Sequence, residues 1–151
     1  MGEILGRAVS GAEAVSREQW PERLKAGLDA LGIAYDPAAP ERLARYHQLL
    51  TEWNQVMNLT GDTDFETSLT RHYLDSLAPL GISGLFPEKA SMIDVGTGAG
   101  FPGLPLAIAR PDLDVVLMDS LQKRLNFLDA VVKELGLSNV RLRHARAEDG
   151  G

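Results

Sequence analysis

The sequence predicts an α/β fold: the first half of a doubly wound parallel sheet, strand order 3-2-1, behind an N-terminal helical extension. Three observations carry this. A glycine-rich turn, Gly96-Thr97-Gly98-Ala99-Gly100, follows the apolar residues Met92, Ile93 and Val95, which suggest a buried strand. A second apolar run, Val115 to Met118, ends in Asp119 and reads as a parallel strand buried on both faces. Past an amphipathic helix, Val140 and Leu142 alternate with Arg141 and Arg143 as a third strand. Right-handed crossovers between three such strands give the order 3-2-1.

At 151 residues the chain fits a single domain on the usual scale of about 100 to 200 residues. Its 44% hydrophobic and 24% charged residues belong to an ordinary soluble globular protein. No apolar run approaches the ~18 residues that span a membrane. The longest, Phe101 to Ala109, is broken by two prolines and a glycine. The first residues lack the apolar core of a secretory signal, so no membrane partner is expected. Without cysteine there are no disulfides and no thiolate chemistry, and a cytoplasmic location is the default. The net charge of −6 argues against nonspecific nucleic-acid binding through overall charge, while leaving room for a local basic patch.

Residues 1–15, rich in Gly, Ala and Ser without a period, are expected to form a flexible tail. Residues 16–84 form the N-terminal helical region. Ser16 with Gln19 suggests a capping box, and Trp20, Leu24, Leu28 and Leu31 recur at helical spacing until Gly32. After the turn at Asp36-Pro37, a longer helix carries Leu43, Tyr46, His47, Leu50, Trp53 and Met57 on one face. Trp53 and Met57 read as core, and His47 as a packed, hydrogen-bonded histidine rather than a metal ligand. Asn58 to Asp62 is a turn, and Asp62 or Asp64 caps a third helix bearing Phe65, Leu69, Tyr73, Leu77 and Leu80. Within it Arg71 and Asp75, four apart, are spaced to pair.

Residues 85–151 begin the nucleotide-type domain. A short helix after Gly103 stops before Pro111. Its free N–H groups are expected to face whatever sits over the turn. Ser120 is the expected cap of the next helix, whose stripe is Leu121, Leu125, Leu128, Val132 and Leu135, closed by Gly136. This arrangement leaves one side of the first strand unpaired, which for so apolar a strand is an aggregation hazard. The sequence is therefore expected to be part of a longer chain. No metal-ligand spacing occurs.

Three features converge at the carboxyl ends of the strands, where open α/β sheets bind ligands: the glycine turn with Gly96, Gly98 and Gly100, then Asp119, then the polar segment after the third strand. Asp119 lies 21 residues after Gly98, near the ~20-residue offset at which an acid meets ribose hydroxyls. Ala147 and Glu148 are positioned to approach an adenine. Asp94, a carboxylate where a nicotinamide fold would carry an apolar residue, suits a cationic ligand. An adenosine-bearing ligand fits all of these.

Taken together, Trp53-Asn54, Asn58-Leu59-Thr60, Arg71-His72 with Leu74-Asp75-Ser76, Ile93-Asp94-Val95-Gly96-Thr97-Gly98 with Gly100 and Pro102-Gly103, Leu117 with Asp119-Ser120-Leu121, Lys123-Arg124 and Phe127-Leu128 give a specific pattern. It resembles the bacterial 16S ribosomal RNA methyltransferase G family, also called glucose-inhibited division protein B, from about Glu41 to Glu148. The resemblance implies a Rossmann-like class I methyltransferase sheet that uses S-adenosyl-L-methionine. It further implies methylation of a guanine N7 in the decoding-region loop of 16S ribosomal RNA, within the small ribosomal subunit, by a monomeric complete protein. The family's cofactor positions fall on Gly96, Phe101, Ala147 and Glu148, and Asp119 is added from the general pattern of the class. An arginine of the family's cofactor site, after its fourth strand, lies beyond Gly151. No catalytic base is expected, because N7 already exposes a lone pair. Lys123, Arg124, Arg141, Arg143 and Arg146 are candidates for phosphate contact. The alternatives are methyl transfer to another acceptor, an inactive fragment, and a NAD-binding oxidoreductase, against which Asp94 speaks.

Overall fold

The computed structural model describes residues 16–61 and 63–146. The expected tail at residues 1–15, and Ala147 and Glu148 of the expected adenine site, lie outside the described residues.

A short 3₁₀ turn, Arg17–Gln19, leads into α1, Trp20–Leu31. Gln19 accepts from the Ser16 N–H at 3.0 Å, one half of a capping box. Gly32 closes α1 in the left-handed conformation. Helix α2, Ala39–Met57, carries Pro40 in its first turn, where a missing N–H costs nothing, and ends at Asn58 with φ 55°. Its buried face is Leu43, Tyr46, His47 and Leu50. Trp53 packs on Phe127, but Met57, in the last turn, is only partly covered and lies outside the core.

The third helix is not uniform. Asp64 caps α3, Phe65–Ser68, accepting from the Thr67 N–H at 3.1 Å. The chain then widens into a π-helical turn, Leu69–Leu74, narrows to α4, Asp75–Leu77, and tightens to a 3₁₀ turn, Ala78–Gly81. Because the Asp75 N–H reaches back to the Thr70 carbonyl, residues four apart no longer overlie one another. Arg71 and Asp75 accordingly form no ion pair among the described residues.

The remainder is β1, Ser91–Val95; α5, Gly103–Ala109; β2, Asp114–Asp119; α6, Gln122–Leu135; and β3, Val140–His144. The sheet is parallel with β2 in the centre. Ile93 pairs with Val116 and Asp94 with Leu117, while Leu117 pairs with Leu142 and Asp119 with His144. Both crossovers step in the same direction, so both helices cover the same face. That face carries the fully buried Val115 and Leu117. Helix α2 packs on α5 and α6, adding an outer layer and bringing the N-terminal helices to the sheet. Among the described residues no helix covers the opposite face. Ile93 and Val95, expected to be buried, are 53% and 51% exposed because they point to the side without helices.

Two further expectations are corrected at the start of α6. Its N-cap is Leu121 rather than Ser120, and Leu121 stands before the helix, 40% exposed, rather than in its buried stripe. Among the described residues no side chain caps the first turn; Asp119 instead fixes the entry to the helix by accepting from the Leu121 N–H at 2.9 Å. Among the described residues no helix is long and apolar enough to cross a membrane.

Candidate functional site

The glycine turn joins β1 to α5 at the carboxyl end of the sheet. Its backbone donors are almost all spent inside the protein. Gly96 and Thr97 N–H donate to the Met118 carbonyl, Gly98 N–H to Asp119 at 2.9 Å, and Gly100 N–H to the Thr97 carbonyl at 2.9 Å. The helix behind the turn is treated the same way, contrary to the expectation of free N–H groups. Gly103 N–H donates to Asp94 Oδ2 at 2.9 Å and Leu104 N–H to the Gly100 carbonyl at 2.7 Å. A short helix entering a packed turn must satisfy its first donors locally, and a carboxylate at the end of β1 is within reach.

The glycines serve two different needs. At Gly96 and Gly98, with φ 69° and 61°, an added Cβ would meet no protein atom within 4 Å. These two positions border open space and need glycine for their backbone angles. At Gly100 and Gly103 space is the constraint. A Cβ would lie 2.7 Å from the Tyr46 hydroxyl at Gly100, and 2.5 Å from Leu117 Cδ2 at Gly103.

Asp94 is on the covered face. Its Oδ2 takes the Thr97 hydroxyl at 2.8 Å as well as Gly103 N–H, while Oδ1 makes no hydrogen bond among the described residues. Burial raises its carboxyl above the usual range, the two hydrogen bonds pull it back, and the Asp119 charge adds a further push upward. One oxygen braces the turn and the other keeps its lone pairs.

Asp119 is buried at the end of β2. Oδ2 accepts from Gly98 and Oδ1 from Leu121, both at 2.9 Å, and Arg124 Nη1 approaches the two oxygens at 3.5 and 3.3 Å. The carboxylate thus ties the turn to the start of α6. Beside it, Ser120, His144, Ala145 and Arg146 line an open cavity of about 370 Å³, at the end of β3 that leads toward Ala147. His144 Nε2 lies 2.9 Å from the Ser120 carbonyl, holding the two strand ends together.

Phe101 is partly exposed, stacked face to face on His72 with centroids 4.5 Å apart and planes 10° from parallel. It also packs against Tyr46 and Tyr73. The structure therefore brings Gly96, Gly98, Gly100, Phe101 and Asp119 together, and adds the π-helical turn bearing Arg71 and His72. Arg141 does not join them. It pairs with Asp114 at 3.0 Å, near the amino ends of the strands. Sequence reasoning missed Tyr46 and Thr97 as parts of the site. Tyr46 could not be told from its neighbours because it fits the apolar stripe of α2, and its hydroxyl target is 53 residues away.

The model for rRNA small subunit methyltransferase G matches residues 39–150, well over half of the chain. Curated proteins named "Ribosomal RNA small subunit methyltransferase G" are similar over most of this chain. The one from Clostridium perfringens (strain 13) is 44% identical over 132 residues, covering 87% of this chain and 55% of that protein. Those from Lachnoclostridium phytofermentans and Alkaliphilus metalliredigens are each 47% identical, over 82% and 85% of this chain and 50% and 53% of their own lengths. The chain spans about half the length of the curated relatives it matches. With a parallel α/β sheet, a glycine turn at its carboxyl end and this similarity along most of its length, the chain belongs to the rRNA small subunit methyltransferase G family.

Proposed function

We propose that this chain carries the first half of an S-adenosyl-L-methionine site, in a cytoplasmic enzyme that methylates N7 of a guanine in 16S ribosomal RNA of the small subunit. The observation that carries the reading is the turn itself: braced from behind by Asp94 and Asp119, it borders open space at Gly96 and Gly98. The donor set suits that cofactor, since Asp94 Oδ1 offers lone pairs to a cation and Asp119 lies beside the cavity at the end of β3.

When bound, the cofactor supplies an activated methyl group. The chain's part is alignment. Gly96 and Gly98 bring bare backbone against the ligand, Gly100 lets the turn pack on Tyr46 behind them, and Phe101 closes one side, backed by His72. Asp119 accepts from the ribose hydroxyls, which replace the long Arg124 contacts. Ala147 and Glu148 approach the adenine. Attack by N7 releases no proton, so no base is required and rate comes from orientation and from tolerance of positive charge on the product. The N7 edge is inaccessible in an A-form helix, so the guanine comes from a loop or is splayed out toward Arg71 and His72. The exposed Lys123, Arg143 and Arg146 supply charge against phosphate.

The test uses this chain, and in parallel the longest product of its gene, with labelled cofactor and small subunits lacking native methylation. Nucleoside mass spectrometry should detect 7-methylguanosine. No transfer while S-adenosylhomocysteine still binds would keep the cofactor site and move the acceptor elsewhere.

Asp119→Ala should weaken S-adenosylhomocysteine binding by about 1.5 to 3 kcal/mol, the worth of a charged hydrogen bond. An affinity within twofold of the wild type would remove the ribose role. An equal penalty on an analogue lacking both ribose hydroxyls would leave Asp119 as a brace for Gly98 and nothing more.

A further inference from the structure

The Ala99–Gly100 peptide, in the middle of the turn, is held at both ends. Its N–H donates back to the Thr97 carbonyl at 2.9 Å. Its carbonyl, on Ala99, accepts from the hydroxyl of Tyr46, a residue of α2. A peptide unit flanked by glycine can rotate at little steric cost, so without these two restraints it would sample orientations that reshape the loop.

Nothing about core packing requires that hydroxyl. The Tyr46 ring is fully buried and already fixed against Phe101, Tyr73 and Phe127, at centroid distances of 5.6, 5.9 and 6.3 Å. A phenylalanine would make the same contacts. Burying a phenolic oxygen is unfavourable unless it is bonded, and the Ala99 carbonyl is the partner it has. Burial also drives the phenol well above its ordinary range, so it stays a donor wherever the chain is folded. The turn is shaped to admit it, since any residue but glycine at position 100 would put Cβ 2.7 Å from the oxygen.

We infer that Tyr46 is a positioning residue for the glycine turn: its hydroxyl locks the Ala99–Gly100 peptide, so that the N-terminal helices as well as the sheet set the affinity of the site. The ligand half of this inference rests on the cofactor reading above; the loop half does not.

Tyr46→Phe keeps the ring and removes the lock. Hydrogen exchange in the segment 96–103 should accelerate about tenfold, while β2 and α6 stay within about twofold, and S-adenosylhomocysteine should bind about tenfold more weakly, the scale of one lost hydrogen bond. Unchanged exchange in the turn, or uniform acceleration across β2 and α6, would overturn the inference. Equal ligand affinity in both proteins would overturn its affinity clause. A wild-type chain that binds no S-adenosylhomocysteine would instead defeat the cofactor reading and leave the exchange data to decide the role of Tyr46. Should the variant not fold, the wild type decides: the Tyr46 hydroxyl proton should be in slow exchange and close to the Gly100 α protons by NMR, and a freely exchanging proton would end the proposal.

Discussion

Gly100→Ala is expected to lower the unfolding free energy by about 2 to 6 kcal/mol, combining roughly 1 to 3 for a strained backbone angle with roughly 1 to 3 for overpacking. Gly100 has φ 109°, and its added methyl would lie 2.7 Å from the Tyr46 hydroxyl, 3.0 Å from Leu128 and 3.1 Å from Leu104. None of these neighbours has room to withdraw, because Tyr46, Leu104 and Leu128 are fully buried. Set against a typical stability of about 5 to 15 kcal/mol, the change would take much of the margin. Gly136→Ala is the control. Its φ of 64° lies in the left-handed region that alanine enters at modest cost, and nothing lies within 4 Å, so only a backbone cost of about 1 kcal/mol applies. Urea unfolding followed by circular dichroism distinguishes the two. Equal losses would mean that space at Gly100 is not the constraint. Part of the penalty should also disappear in a Tyr46→Phe background, since removing the oxygen relieves the shortest of the contacts.

The fold was legible because its strands and helices differ in period and Gly32, Gly96, Gly98 and Gly136 fall between them. Val115 to Met118 reads as a strand buried on both faces; it is the central strand, with Val115, Leu117 and Met118 buried and Val116 partly exposed. Where reading failed, the missing information was three-dimensional. Ile93 and Val95 have the composition of a buried strand, yet they are exposed, because composition records what a face could bury and not which elements cover it. Ser120 has the chemistry of a cap, yet Asp119, one residue earlier, is the group that turns back to the Leu121 N–H. The helical pattern of residues 65–80 is real, but no periodicity announces the π-helical turn at Leu69–Leu74 that carries Arg71 and His72.

The site was legible in the same uneven way. Gly96, Gly98 and Asp119 follow from local spacing, because a strand, a turn and a strand end are near neighbours in an α/β unit. The bracing does not. Asp94 was read as a ligand for a cation, and the structure gives one of its oxygens to Thr97 and Gly103. Tyr46 and His72 reach the turn only through the packing of α2 and the π-helical turn on it, and a long-range contact of that kind leaves no mark on a single sequence.

His47 links those same elements and should make the protein sensitive to mild acid. The residue is fully buried, with Nε2 2.9 Å from the Thr63 carbonyl and Nδ1 2.7 Å from the Tyr73 hydroxyl. A carbonyl only accepts, so Nε2 carries the proton and donates, and Nδ1 accepts from Tyr73, whose phenol burial holds in its protonated form. The ring is therefore neutral, and burial lowers its pKa from 6.5 to about 4. The unfolded chain takes up this proton near pH 6.5 and the folded chain only near pH 4. Stability is thus fully present above pH 6.5 and falls as the pH drops through that window, by about 3 kcal/mol in all. The carboxylates of Asp29 and Asp112, held below their usual range, lose their contribution at lower pH and do not account for a loss that begins at 6.5. Asp94, whose pKa is raised, acts in the opposite sense and offsets part of it. Denaturant unfolding at intervals from pH 7.5 to 4, beside an NMR titration of the His47 ring, measures both quantities. A ring that titrates near 6.5 in the folded protein, or a stability flat across the window and equal to that of His47→Gln, would show that the buried ring is not the source. A loss on the expected scale would loosen Tyr73 and Thr63 together, and with Tyr73 the packing behind Phe101.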